Sequence, residues 1–241
     1  MLLENKNAAI YGAGGRVGSA VAHAFAREGA KVFLAGRTLA TLEALAHDLH
    51  TATGSIAEVA QVDALNDNSV RRHVDQLAER TEGIDICFNA VGDHALLGPS
   101  LVEIPFADFL RPVTQLVTAQ FLIATTIGRH MIARRTGVIL TMTGSGVPTA
   151  GMGGAMTAWA AVDALSGQLA RELGSHGIRV LWLRSNGVVE EGEDDPRERQ
   201  RSMLNRLATP ADVANVAALL ASDHAQTMTA TPANVTSGAE V

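Results

Sequence analysis

Tyrosine and lysine are almost missing from this chain of 241 residues: Tyr11 is the one tyrosine, and Lys6 and Lys31 are the two lysines, against 17 arginines. That scarcity limits the chemistry available. Cys87 is the single cysteine, which excludes an internal disulfide, and its neighbours Ile86 and Phe88 mark it as core rather than as a reactive thiol. Positive charge is also short, 19 basic residues against 25 acidic for a formal charge of −6, so the overall field does not suggest a nucleic-acid partner. No stretch supplies the roughly 18 uninterrupted apolar residues of a membrane span. Met1 to Asn7 lacks a basic region followed by an apolar one, so no membrane association and a cytoplasmic location are expected. The eight histidines show no zinc-ligand spacing, and a G-x-S-x-G nucleophile motif is absent.

What is present is apolar: 47% of the residues are hydrophobic, enough for one sizeable core and a single domain over residues 1–241. Ala8 to Tyr11 reads as a short strand. Val17, Val21, Ala24 and Phe25 then repeat at helical spacing until Gly29. Lys31 to Ala35 is a second strand, followed by a helix with Leu42, Leu45, Ala46 and Leu49 on one face. Further strands are expected at Ile56–Val62, Ile84–Asn89, Val138–Thr141, Ile178–Leu183 and around Ala233–Val235. Helices are expected over Val70–Arg80, Phe106–Arg135 with an interruption or kink near Pro112, Met156–Leu173 and Ala211–Ala221. The acidic run from Glu190 to Pro196 reads as a solvated loop, with a substrate lid as the alternative. Strands alternating with helices imply an α/β fold, a doubly wound Rossmann-type domain whose parallel sheet of about seven strands carries helices on both faces.

The chain is organised around the turn Tyr11-Gly12-Ala13-Gly14-Gly15-Arg16-Val17-Gly18. Glycines there let the backbone approach a pyrophosphate, and the helix that follows offers free N–H groups and its positive dipole end. A strict G-x-G-x-x-G would need glycine at Val17; instead Gly12, Gly15 and Gly18 recur every third residue.

This turn resembles the T-G-x-x-x-G-x-G element of the short-chain dehydrogenase/reductase family. The resemblance continues through Asp63-Ala64, Asn89-Ala90-Val91-Gly92, Leu169-Ala170-Arg171-Glu172-Leu173, Gly177-Ile178-Arg179-Val180, Thr209-Pro210-Ala211-Asp212 and Asn234 to Gly238. It implies a nicotinamide dinucleotide held by Gly12, Gly14, Gly15, Arg16, Val17, Gly18, Arg37, Thr38, Asp63, Ala64, Asn89, Ala90 and Gly92. After the second strand a carboxylate would favour NAD(H). Gly36-Arg37-Thr38 stands there instead, and Arg37, with Arg16 in the turn, suits a 2′-phosphate, so NADP(H) is preferred.

The family's reaction is hydride transfer between nicotinamide and a carbonyl or alcohol, assisted by an Asn-Ser-Tyr-Lys tetrad. The resemblance sets these four positions at Leu116, Gly144, Ala155 and Trp159, all changed. With one tyrosine at position 11 and lysines only at 6 and 31, no Y-x-x-x-K can exist anywhere in the chain. The catalytic residue is therefore unknown. His94, Ser145, Thr143 and water are the candidates to replace the tyrosine. Two functions stay open: a divergent NADP(H)-dependent oxidoreductase, or a dinucleotide-binding sensor, regulator or inactive subunit. A small-molecule ligand or substrate is expected, and the family's pairing through its fourth and fifth helices implies a homodimer or homotetramer.

Overall fold

Seven strands form one parallel sheet in the order β3-β2-β1-β4-β5-β6-β7. They are β1 (Asn7–Tyr11), β2 (Lys31–Gly36), β3 (Glu58–Gln61), β4 (Ile86–Asn89), β5 (Gly137–Gly144), β6 (Ile178–Ser185) and β7 (Pro232–Asn234). The helices are α1 (Arg16–Arg27), α2 (Leu39–Thr53), α3 (Asp67–Arg80), α4 (Phe106–Arg134), α5 (Ala155–Leu173), α6 (Pro196–Arg201) and α7 (Pro210–Ala221). This computed structural model describes residues 1–144, 146–189 and 195–239, without the side chains of residues 197 and 198. Most of the acidic run, residues 190–194, and the candidate Ser145 lie outside the described residues.

Strand alternation sorts the core into two layers. Ala8, Ile10, Val32, Leu34, Ile86 and Phe88 face a layer with Val21 and Phe25 of α1, Leu42 and Leu45 of α2, and Val213 and Ala217 of α7. Ala9, Tyr11, Phe33, Ala35 and Cys87 face the opposite layer, with Val70 and Val74 of α3, Ile123 and Ile127 of α4, and Leu169 and Leu173 of α5. Burial holds the Cys87 thiol protonated, well above its ordinary range, in keeping with a core residue.

The expected elements are present, with shifted ends. β3 is shorter than Ile56–Val62 because it is an edge strand that pairs only with Phe33–Gly36 of β2, and Ile56 is left exposed. β5 runs three residues beyond Thr141 because β6 pairs with it as far as Gly144↔Ser185. α3 starts at Asp67, three residues before Val70, because Asn66 caps it: Ser69 N donates to Asn66 Oδ1 at 3.0 Å. α4 runs from Phe106 to Arg134 with Pro112 inside it, so of the two readings there, interruption or kink, the interruption is absent. That proline is buried, and the turn holding it packs against Gly154 at the head of α5, where an added Cβ would lie 1.9 Å from the Phe109 carbonyl oxygen. The helix is also long and apolar enough to cross a membrane, but half of its most apolar stretch is buried within the fold. The short helix α6 was not expected from the sequence.

Candidate functional site

The strand order reverses between β1 and β4, the point at which open α/β sheets bind ligands. Their carboxyl ends are in register, with Tyr11 beside Asn89, so the glycine turn after β1 meets the Ala90-Val91-Gly92 turn after β4. The approach is close. Gly12 has φ +73°, and a Cβ there would lie 2.5 Å from the Ala90 carbonyl oxygen; a Cβ on Gly18 would lie 2.2 Å from the Gly12 carbonyl oxygen. Only glycine fits either position. Gly15 precedes α1 without a side-chain cap, and the helix has no acidic residue in its first turn. The positive end of the α1 dipole thus points at this junction, where an anion would be stabilised.

On one side of this junction is a small pocket of about 100 Å³, lined by residues that include Gly12, Gly36, Arg37, Asp63, Ala64, Leu65, Gly92, His94 and Gln115. Gln61 Nε2 donates to the Arg37 carbonyl at 2.9 Å and steadies that residue, and Arg37 Nη2 donates to His94 Nε2 at 3.4 Å. Asp63 Oδ1 accepts from Leu65 N at 3.0 Å, which shapes the lip of the pocket. Gln115 Oε1 is buried with no hydrogen-bond partner among the described residues. Sequence reasoning missed this glutamine, because nothing in its neighbours separates it from any other polar residue on a helix.

On the other side is a cleft of about 710 Å³ that shares Val91 and Gly92 with the small pocket and also takes in Arg16, Val17 and Ala90. Its walls are largely apolar, with Leu97, Leu116, Met142, Val147, Met152 and Met156. Gly144 and Trp159 meet in it face to face: a Cβ on Gly144 would lie 2.4 Å from three atoms of the indole. Trp159 Nε1 donates to Asp93 Oδ2 at 3.0 Å, and Asp93 Oδ1 accepts from Ala95 N at 3.2 Å, so both oxygens of that carboxylate are engaged. On the same strand end the Thr143 hydroxyl is buried without a hydrogen-bond partner among the described residues. Ala155 and Leu116 contribute only hydrocarbon.

The site residues expected from the sequence thus divide into groups. Gly12, Arg37, Asp63, Ala64 and Gly92 line the small pocket; Arg16, Val17 and Ala90 line the cleft, as Gly92 also does. Gly14, Gly15 and Gly18 shape the turn, and Thr38 is the residue before α2, with an exposed side chain. Asn89 is buried and braces the backbone. Its Oδ1 accepts from Val91 N at 3.1 Å, and its Nδ2 donates to Gln120 Oε1 at 2.9 Å. Two titratable side chains that the sequence singles out, Tyr11 and His94, lie apart from the large cleft. Tyr11 points away from the cleft into the α3 layer, where its hydroxyl lies 2.9 Å from His73 Nδ1. His94 lines the small pocket rather than the large cleft.

A family model described as enoyl-(acyl carrier protein) reductase matches residues 12–240. Secoisolariciresinol dehydrogenase from Forsythia intermedia is 32% identical over 93% of this chain and 85% of its own length. A solved short-chain type dehydrogenase/reductase from Mycobacterium ulcerans superposes with a TM-score of 0.92 at 23% identity, over 99% of this chain and 91% of that one. NAD+-bound xylitol dehydrogenase superposes with a TM-score of 0.90 at 24% identity, over 99% and 100%. With the matched segment running from the glycine turn to the chain's last residues, on a seven-stranded parallel sheet of the same topology throughout, the chain belongs to the short-chain dehydrogenase/reductase family.

Proposed function

We propose that this protein binds NADP(H) across the β1/β4 junction and transfers hydride between its nicotinamide and a small carbonyl or alcohol substrate, without the family's Tyr-Lys pair. The observation that carries the cofactor choice is Arg37, which lines the small pocket where a carboxylate would select NAD(H). The residues present fit such a group. The uncapped start of α1 suits the pyrophosphate, and the orphaned Gln115 Oε1 can accept from the adenine amino group. Nicotinamide, when bound, supplies or receives the hydride. The chain itself offers the Thr143 hydroxyl to orient a carbonyl oxygen and apolar walls that exclude bulk water. Water supplies the proton, since Tyr11 faces the other layer and both Asp93 oxygens are engaged.

At equal, saturating concentration NADPH is expected to raise the melting temperature more than NADH. Arg37→Ala should lower NADPH affinity about 10- to 100-fold, the loss of ~1.5–3 kcal/mol for hydrogen bonds to a charged group, and leave NADH affinity unchanged. Equal shifts with the two cofactors would refute the assignment.

The indole against Gly144 favours a second reading, a dinucleotide sensor or inactive partner without turnover, because it fills the place where the resemblance sets the substrate-orienting serine. NADPH oxidation over a panel of carbonyls and enones decides between the two. Tight NADPH binding with no oxidation supports the sensor.

The same proposal takes the protein to be a cytoplasmic homodimer or homotetramer. Phe106, Leu110 and Phe121 on α4 are exposed apolar side chains that pairing would cover, and light scattering measures the assembly.

A further inference from the structure

Arg37 and His94 come from opposite sides of the small pocket. Arg37 directly follows β2, and His94 follows the turn after β4; the two meet at 3.4 Å. For the guanidinium to donate to Nε2, the imidazole must be neutral with its proton on Nδ1. His94 reaches that place with φ +50°, a left-handed backbone uncommon for a residue other than glycine, and such conformations gather where a side chain has to be aimed. Both side chains are exposed, and among the described residues no carboxylate pairs with Arg37. The remaining ionisable groups lining the pocket are Asp63, after β3, and Tyr11 at the end of β1, whose buried phenol stays neutral against His73; α4 contributes the neutral Gln115. Asp93, the neighbour of His94 in its own loop, is turned toward Trp159.

A second cation 3.4 Å from Arg37 is unfavourable in the free protein, whereas a dianion between the two reverses the sign of that interaction. We propose that His94 is a second ligand of the 2′-phosphate. It exchanges its contact with Arg37 for the phosphate, takes up a proton on doing so, and makes the preference for NADP(H) over NAD(H) rise as pH falls. The inference rests on the NADP(H) reading above and deepens it, since it adds a specificity residue and a pH dependence that Arg37 alone would not give. A guanidinium adds no pH dependence of its own in this range. The phosphate's own second ionisation lies near 6, so it remains largely dianionic above pH 6.5 and the effect of His94 is read there.

The test uses 2′,5′-ADP and 5′-AMP as probes, measured by calorimetry on the full chain between pH 6.5 and 8.0. In the wild type, 2′,5′-ADP affinity should fall about ten-fold over this range while 5′-AMP affinity stays flat. His94→Asn, which tolerates the left-handed backbone, should weaken 2′,5′-ADP at pH 6.5 and abolish its pH dependence. His94→Lys should restore tight binding without the slope. Full retention of preference and slope in His94→Asn overturns the role of His94 alone. A wild type that binds both probes equally overturns the NADP(H) reading and this inference with it.

Discussion

Gly144→Ser is expected to cost about 1–3 kcal/mol of stability and to bring no gain in hydride transfer, although the resemblance sets the family's serine at or beside this position. The added Cβ would lie 2.4 Å from Cδ2, Cε2 and Cε3 of Trp159, far inside van der Waals contact. The indole cannot simply swing aside, because its Nε1 is tied to Asp93 Oδ2 and its helix α5 is packed along α4. The two positions are therefore one feature: glycine on β5 is the seat of tryptophan on α5. Trp159→Lys alone should also destabilise, by loss of packing. The pair Gly144→Ser with Trp159→Lys should cost less than the sum of the two, with a coupling of about 1–3 kcal/mol for residues in direct contact. Urea midpoints of the four proteins measure it. Strict additivity would mean that the indole does not depend on the glycine. The double variant should remain without tyrosine-type acid catalysis, since Ala155 still offers no phenol.

Acid should destabilise the protein through a buried group of the α3 layer, His73. His73 is 6% exposed, and its Nδ1 lies 2.9 Å from the Tyr11 hydroxyl, with the two rings edge to face. Burial, and secondarily the charge of Arg80, pull the imidazole down from 6.5 to about 4. The unfolded chain binds this proton near 6.5, while the folded chain refuses it until about 4. The stability that depends on neutral His73 is complete above pH 6.5 and is lost as pH falls toward 4. The loss is about 2–3 kcal/mol by pH 4.5, at roughly 1.4 kcal/mol per unit. Burial also raises the Tyr11 phenol well above its ordinary value, so it stays a neutral hydrogen-bonding group across this range. In His73→Phe stability drops at neutral pH because the Tyr11 hydroxyl loses its partner, and the slope between pH 6.5 and 4.5 should shrink by about that same 2–3 kcal/mol. An unchanged slope would show that carboxylates carry the acid response. Because Tyr11 directly precedes Gly12, nucleotide binding should weaken over the same acid window.

The elements were legible because their signals are local. Ala8 to Tyr11 and Lys31 to Gly36 are apolar runs of strand length, the Val17-Val21-Phe25 spacing is helical, and glycine is the one residue that the backbone at Gly12 and Gly18 accepts. Boundaries were less legible where a partner decides them. β3 ends where β2 stops pairing with it, and β5 extends because β6 accompanies it to Ser185. Pro112 reads as a breaker because its ring and missing donor are local facts, yet α4 runs on, held by the sheet on one side and by Gly154 on the other.

Within the site, the glycine turn at the β1/β4 junction was readable and the side chains around it were not. Gln115, Asp93 and the seat of Trp159 on Gly144 bring together residues far apart in sequence, and no spacing rule announces such meetings. The sequence by itself determined the order of strands and helices, the glycine turn, the arginine where an acidic residue would choose NAD(H), and an inventory in which one tyrosine and two lysines exclude a Y-x-x-x-K pair. Only the tertiary structure decided where those groups point. Alternation along β1 sends Tyr11 to the α3 layer and not to the cleft, and the junction of β1 with β4 brings His94 beside Arg37. The physical reason is that covalent order sets which chemistry a chain possesses, while sheet register and helix packing set which groups share a volume small enough to act together.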